Sequence, residues 1–334
     1  MSARFRVLLT DSPYADIDVE RRILGPEVEI DAYRDGGEPP PDAAWRSADA
    51  IILFRLFCRA ERVALLERCR LIVRLGVGFD RVDLDACRAR DIVVSNVPDY
   101  GTTEVADHAL ALLLALRRGL PGHHDGLRDD LGRNWNSMRA LGQRRMSAQR
   151  LAVVGLGRIG TALALRAKAL GMRVVVFDPY VATGAELALG VERADTLAAA
   201  LDGADALSLH APLTAETRGM IGAAELARLA PGAVLVNTAR GPLVELDALH
   251  DALRSGRLAG AGLDVLPVEP AKPDHPLLAA WIAREAWLGG RLIVTPHAAF
   301  FSPEAWADMR RLATETARLF LFEGRARNVV SGQA

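Results

Sequence analysis

Two kinds of apolar pattern alternate along the chain. Short, nearly unbroken apolar runs are separated by longer stretches whose apolar positions recur every three or four residues. The first kind predicts strands buried on both faces, and the second predicts amphipathic helices packed on them. The predicted strands form two series. RVLLT (6–10), VEIDAY (28–33), AIILF (50–54), LIVRL (71–75) and IVVSNV (92–97) make the first. LAVVG (151–155), RVVVFD (173–178), ALSLHA (206–211), AVLVNT (233–238), AGAGLDV (259–265) and RLIVTP (291–296) make the second.

Strands alternating with helices imply βαβ units and parallel sheets. Eleven strands are too many for one small open sheet, so two doubly wound domains of the α/β class are expected. Between the series, TTEVADHALALLLALRRGL (102–120) reads as one helix, capped by Thr102 or Thr103 ahead of Glu104. The polar stretch 121–149, rich in Gly and Arg, reads as an arm crossing between domains or subunits. PEAWADMRRLATETARLFLFEG (303–324) reads as a closing amphipathic helix that stops at Gly324.

Composition narrows the class. At 334 residues the chain is long enough for two cores. Its formal charge of −1, with basic residues scattered, gives no electrostatic case for a nucleic-acid partner. Cys58, Cys69 and Cys87 form no paired motif and are expected as free thiols in a reducing compartment. MSARFRVLLTD lacks the apolar core of a leader, and the apolar run 109–116 is too short for a bilayer, so a cytoplasmic protein without a membrane partner is expected.

The chemistry begins at Gly155-Leu156-Gly157-Arg158-Ile159-Gly160, which follows a buried strand and opens a helix. A lone GxGxxG is weak evidence. Here the second strand ends in Asp178, 18 residues after Gly160, which completes a dinucleotide-binding arrangement. Gly155 permits the tight turn, Gly157 lets backbone approach the pyrophosphate, and Gly160 lets helix and strand pack closely. The helix N-terminus offers free N–H groups to the phosphates. Asp178 would accept from the ribose hydroxyls and repel a 2′-phosphate, which favours NAD over NADP.

Three residues end strands of the second series: Arg240, Glu269 and His297. Taken singly they read as a loop cation, a turn acid and a capping or core histidine. Together on the carboxyl edge of a parallel sheet, where ligands bind, they suit hydride transfer to a 2-keto acid. A guanidinium fork grips carboxylate and carbonyl. An imidazole gives or takes the proton. A carboxylate orients that imidazole and favours its charged form.

The motifs RLGVGFDRVDLDA (74–86), NVPDYGTTEVADHAL (96–110), VVGLGRIG (153–160), VNTARGPLVE (236–245), GLDVLPVEP (262–270) and TPHAAF (295–300) make the chain resemble the D-isomer-specific 2-hydroxyacid dehydrogenases over nearly its whole length. The resemblance implies two Rossmann-like domains with the active-site cleft between them. Residues 1–100 with 300–334 would form the substrate domain, and 101–299 the NAD-binding domain. A homodimer would form through the nucleotide domain, with 102–149 wrapping the partner. Arg240, Glu269 and His297 would be the catalytic trio.

The loop Arg74-Leu75-Gly76-Val77-Gly78 would hold the substrate carboxylate through backbone N–H groups. Thr102, Arg158, Ile159, Thr238, Ala239, Arg240, Asp264 and His297 would border the cofactor, with Asp264 receiving the nicotinamide amide. His210-Ala211-Pro212 would lie under the adenosine. GFDRVD (78–83), VFDPY (176–180) and HAAF followed by SPEAWADM (302–309) lean toward the C-terminal-binding-protein branch. Phe300 stands where that branch carries an aromatic residue, and it favours apolar or aromatic substrate tails. Phe54, Leu56 and Phe57 line the same pocket or belong to the core, and Arg55 could meet a second acidic group.

The competing reading is an NAD(H)-sensing binding module of corepressor type, from which the lack of a long disordered tail leans away. Glu269, where formate dehydrogenases of this fold carry an amide, argues against formate. No motif supports a metal site, and His123-His124 reads as a solvated pair. The segment between Glu269 and His297 is longer than in many relatives. Within it PLLAAWIAREAW reads as a short amphipathic helix that packs over the cleft rim, at a dimer contact or, as favoured here, with Trp281 and Trp287 on its own domain.

Overall fold

The computed structural model describes residues 4–135 and 143–331, so 136–142 of the polar arm lie outside the described residues. The chain divides into two compact units, one of Met1–Gly101 with Ser302–Ala334 and one of Thr102–Phe301. Phe300 therefore falls in the second unit, not with the 300–334 segment assigned to the first from the sequence.

The first unit contains β1 (Phe5–Ser12), α1 (Asp18–Leu24), β2 (Val28–Arg34), α2 (Asp42–Ser47), β3 (Ala50–Leu53), α3 (Ala60–Leu65), β4 (Leu71–Arg74), α4 (Leu84–Arg88) and β5 (Val93–Ser95). Its five strands pair in parallel in the order β2-β1-β3-β4-β5. Leu8, Ile51, Leu53, Ile72 and Val94 build a core on one face with Trp45 and the three cysteines. Burial pushes all three thiols above their ordinary value, to about 12 for Cys58 and about 11 for Cys87, so they stay protonated and inert.

The second unit contains α5 (Thr102–Arg117), α6 (Leu120–Asp129), β6 (Arg150–Val154), α7 (Arg158–Ala169), β7 (Arg173–Phe177), α8 (Ala185–Leu189), β8 (Glu192–Arg193), α9 (Leu197–Leu201), β9 (Ala206–Leu209), α10 (Ala223–Arg228), β10 (Ala233–Asn237), α11 (Leu246–Arg254), β11 (Leu258–Leu263), α12 (Pro276–Ile282) and β12 (Leu292–Val294). Seven parallel strands run in the order β12-β11-β10-β9-β6-β7-β8. Chain order reverses between β6 and β9, the switch point of a doubly wound sheet. Alternation along β6 feeds two cores: Leu151 and Val153 face α5 and α7, while Ala152 and Val154 join the opposite side. The last helix, α13 (Pro303–Glu323), ends at Gly324 with φ 68° and packs on α1, β3 and β4 of the first unit.

Three expectations are corrected. The single helix over 102–120 is two helices, broken where Gly119 takes φ 62°. The stretch read as an arm therefore begins inside α6. Thr102 and Thr103 stand in the first turn of α5 rather than before it, and Thr103 donates to the Glu104 carboxylate instead of capping. A twelfth strand, β8, adds an edge to the second sheet. In the long segment before His297, Trp287 packs against the core of its unit, whereas Trp281 is 39% exposed. Among the described residues no helix is long and apolar enough to cross a membrane, and no group of three or more Asp, Glu, His or Cys side chains could hold a metal ion.

Candidate functional site

The carboxyl edge of the seven-stranded sheet carries the glycine loop between β6 and α7. Gly155 has φ 92°, and a Cβ there would lie 2.7 Å from the His210 carbonyl carbon and the Ala211 nitrogen. Only glycine allows the two loops to touch this closely. A Cβ at Gly160 would meet Gly155 O at 2.0 Å, while one at Gly157 would meet nothing within 4 Å. The loop is thus closed toward the protein and open at Gly157, beside the α7 N-terminus that begins with Arg158 and Ile159. That concavity suits a pyrophosphate.

Asp178 follows β7 and joins this loop. Its Oδ2 accepts from Leu156 N at 2.8 Å and its Oδ1 from Tyr180 N at 2.9 Å. His210 follows β9, ahead of Ala211 and Pro212. Its Nε2 lies 2.8 Å from Ser208 Oγ, and desolvation pushes the imidazole down to about 4. At neutral pH it is therefore an uncharged wall.

At the end of β10, Asn237 folds the next residues back on themselves. Ala239 N donates to Asn237 Oδ1 at 3.0 Å, and Asn237 Nδ2 donates to Arg240 O at 2.9 Å. Arg240 is partly buried, with Nη1 donating to Ala239 O at 2.7 Å. The hydroxyl of Thr238 is buried and has no hydrogen-bond partner among the described residues. Such an orphan, at the end of β10 on the same sheet edge as the glycine cradle, fits a polar ligand. The donor set and the cradle fit a dinucleotide together.

Glu269 and His297 meet: His297 Nδ1 donates to Glu269 Oε2 at 2.7 Å. Glu269 Oε1 accepts from Leu266 N at 3.1 Å, so both carboxylate oxygens are fixed. Burial alone pushes the Glu269 carboxyl upward. The His297 hydrogen bond and charge, the Leu266 N–H and the Arg240 charge outweigh it and hold the group below its ordinary range. The whole sequence-derived trio thus shares one electrostatic neighbourhood.

His297 has φ 54°, unusual for a residue with a Cβ. Asp264, 2% exposed, holds it there. Its backbone oxygen accepts from His297 N at 2.8 Å. Its carboxylate accepts from Thr295 Oγ1 at 2.6 Å, Ala298 N at 2.9 Å and Ala299 N at 3.0 Å. His108 on α5 reaches Thr295 Oγ1 at 3.0 Å. Phe300 presents its ring edge-on to His297, with centroids 6.3 Å apart. Thr102 stands at the start of α5.

Sequence reasoning assigned no role to Asn237, which ties the Arg240 loop, or to Gly241, where a Cβ would lie 2.0 Å from Leu266 C. An Asn at a strand end is a turn signal that could have marked the first.

In the first unit, Arg74 ends β4 and Leu75 N donates to Leu53 O at 2.8 Å. Gly76 has φ 126°, and its oxygen accepts from Val97 N at 3.1 Å. Val77 O accepts from Asn96 Nδ2 at 2.6 Å, so the Leu75–Gly78 loop is tied down ahead of any ligand. Asp11, also absent from the sequence reading, clamps the next loop: its carboxylate accepts from Phe54 N at 2.9 Å, Leu56 N at 2.7 Å and Arg55 N. Phe54 and Arg55 line a cavity of 540 Å³ with Tyr14, Arg34 and Trp306. Leu56 packs on the core, and Phe57, half exposed, lies between the guanidinium groups of Arg59 and Arg81.

A seven-stranded doubly wound sheet with this glycine loop, and an acid ending its second strand, defines the dinucleotide-binding class of α/β folds. Residues 110–299 match the family model of the D-isomer specific 2-hydroxyacid dehydrogenase NAD binding domain. A glyoxylate reductase of Korarchaeum cryptofilum is 36% identical over 299 residues, covering 87% of this chain and 86% of that protein. The chain belongs to the D-isomer-specific 2-hydroxyacid dehydrogenase family. D-3-phosphoglycerate dehydrogenase of Mycobacterium tuberculosis is 38% identical over 302 residues, 89% of this chain. That match spans 54% of the relative, so the chain covers about half the length of such relatives. A D-lactate dehydrogenase from Aquifex aeolicus, solved with NAD and lactic acid, superposes with a TM-score of 0.85 at 28% identity, covering 98% of this chain and all of that one.

Proposed function

We propose that the chain catalyses reversible hydride transfer between NADH and a small 2-keto acid, giving a D-2-hydroxy acid. The observation that carries this reading is the 2.7 Å His297–Glu269 bond on a sheet edge that also bears Arg240 and the glycine cradle. Gly155, Gly157, Arg158, Ile159 and Gly160 would hold the pyrophosphate, Asp178 the ribose, and His210, Ala211 and Pro212 the adenosine. Thr102, Thr238, Ala239 and Asp264 would border the nicotinamide half. When bound, the nicotinamide supplies the hydride to the carbonyl carbon.

Arg240 grips the carboxylate and polarises the carbonyl, because its planar fork meets two oxygens at once. His297 holds a proton at Nε2 for the carbonyl oxygen, since Nδ1 is committed to Glu269. Glu269 fixes the tautomer and stabilises the imidazolium. The Arg74, Leu75, Gly76, Val77 and Gly78 loop offers backbone N–H groups to the substrate carboxylate, and Phe300 beside His297 favours an apolar tail. The exposed side chains of Leu120, Leu131 and Trp135 support a homodimer through 102–149.

Loss of NADH absorbance with a panel of 2-keto acids (glyoxylate, pyruvate, hydroxypyruvate, phenylpyruvate and a branched-chain acid) tests the proposal. Turnover of at least one acid is expected. Tight NADH binding with no turnover on any of them would favour the NAD(H)-sensing module instead.

A further inference from the structure

A second carboxylate is linked to Asp178 through Tyr180. Asp178, Pro179 and Tyr180 form a side-chain-to-backbone turn, with Asp178 Oδ1 accepting from Tyr180 N at 2.9 Å. The turn throws the Tyr180 side chain outward, where it is 78% exposed and belongs to no core. Its hydroxyl donates to the carboxylate of Glu216.

Glu216 rides on a compact turn. Thr217 Oγ1 donates to Pro212 O at 2.7 Å, Thr214 N to Thr217 Oγ1 at 2.8 Å, and Arg218 N to Thr214 O at 3.1 Å. The base of that turn, His210–Ala211, is the segment against which Gly155 packs. The glycine loop and the residues after β7 thus meet at Asp178, and the 212–217 turn is tied to them through Tyr180 and through Gly155 against His210–Ala211. Arg193, which donates to Asp178 O at 3.4 Å, is committed to the carbonyls of Val181 and Ala182 and pairs with Glu186 at 3.6 Å. It is thereby drawn away from serving as a phosphate clamp.

We propose that Glu216, tethered by Tyr180 beside Asp178, is a second determinant of cofactor choice, excluding a 2′-phosphorylated dinucleotide by charge. This inference rests on the dinucleotide reading of the glycine loop. A 2′-phosphate carries close to two negative charges, and each nearby carboxylate repels it without needing contact. Tyr180 acts as a positioning residue. It keeps the Glu216 carboxylate at the ribose corner instead of letting it swing into solvent.

The test is calorimetric titration of the full chain with ADP-ribose and with 2′-phospho-ADP-ribose, neither of which can react. The quantity read is the dissociation constant of 2′-phospho-ADP-ribose divided by that of ADP-ribose. Glu216→Gln is expected to lower that ratio about threefold to tenfold at low salt, and by less as salt screens the charge. Tyr180→Phe is expected to lower it in the same direction by a smaller factor, since the charge remains but is released. A ratio unmoved in Glu216→Gln, or moved equally at all salt concentrations, overturns the proposal. If ADP-ribose binds and only the ratio fails to move, the role of Glu216 falls alone. If neither ligand binds the wild type, the dinucleotide reading falls with it.

Discussion

Gly241→Ala places one methyl group where two loops of the candidate site meet. The new Cβ would stand 2.0 Å from Leu266 C, 2.2 Å from Leu266 O and 2.4 Å from Pro267 N. All three are backbone atoms, so no flexible side chain can yield. Ordinary contact begins near 3.4 Å, which forces the Arg240 segment and the Leu266–Glu269 segment apart by more than 1 Å. Overpacking of this kind costs about 1–3 kcal/mol of stability.

The functional cost is larger in proportion, because displacing a catalytic group by about 1 Å costs on the order of 100-fold in rate. Steady-state reduction of the best keto acid is the assay, with thermal melting and ADP-ribose titration run in parallel. The expected result is a fall of about 100-fold in kcat/KM, a melting temperature lower by several degrees, and ADP-ribose binding largely kept, because the Gly155–Gly160 cradle is untouched. A variant with kcat/KM within about twofold of wild type would refute the placement of Arg240 against the Glu269 loop.

Two further outcomes follow from the same geometry. Arg240→Lys keeps the charge but loses the fork, so kcat/KM is expected to drop by about 100-fold, and unchanged turnover and KM would remove Arg240 from substrate binding. Glu269, held below its ordinary range, stays ionised in the folded chain to lower pH than in the unfolded one. Its contribution to stability is therefore present above the unfolded carboxylate value and lost as pH falls through the lower folded value. The melting temperature of wild type minus that of Glu269→Gln should shrink between about pH 6 and about pH 3, and a difference that grows toward acid would contradict the ion pair.

The parts of this protein legible in its sequence are those set by neighbours along the chain. Buried strands such as AVLVN and LAVV read directly, because a strand covered on both faces must be apolar throughout. The glycine loop read as well, since its strand, turn and helix are contiguous. The break at Gly119 did not, because Leu116 and Leu120 keep helical spacing across it, and α6 beyond is polar with no buried face to mark it as a helix of its own.

β8 escaped because Glu192–Arg193 is a two-residue, polar edge strand whose pairing with Val175 and Val176 is tertiary. Gly241 and Asp11 escaped for the same reason. What Gly241 touches, Leu266, comes 25 residues later, and the backbone N–H groups that Asp11 receives begin 43 residues away. Arg240, Glu269 and His297 were found as strand-end residues. That Asp264 ties down the His297 loop through Thr295, Ala298 and Ala299 needed coordinates.

The most direct test of the hydride-transfer reading compares wild type with His297→Ala under single-turnover conditions, with NADH binding measured on the same samples. The expected result is a loss of roughly 100- to 10,000-fold in the rate of keto-acid reduction, with NADH still bound by the variant. Reduction at the wild-type rate in His297→Ala would contradict the assignment of the proton to that imidazole.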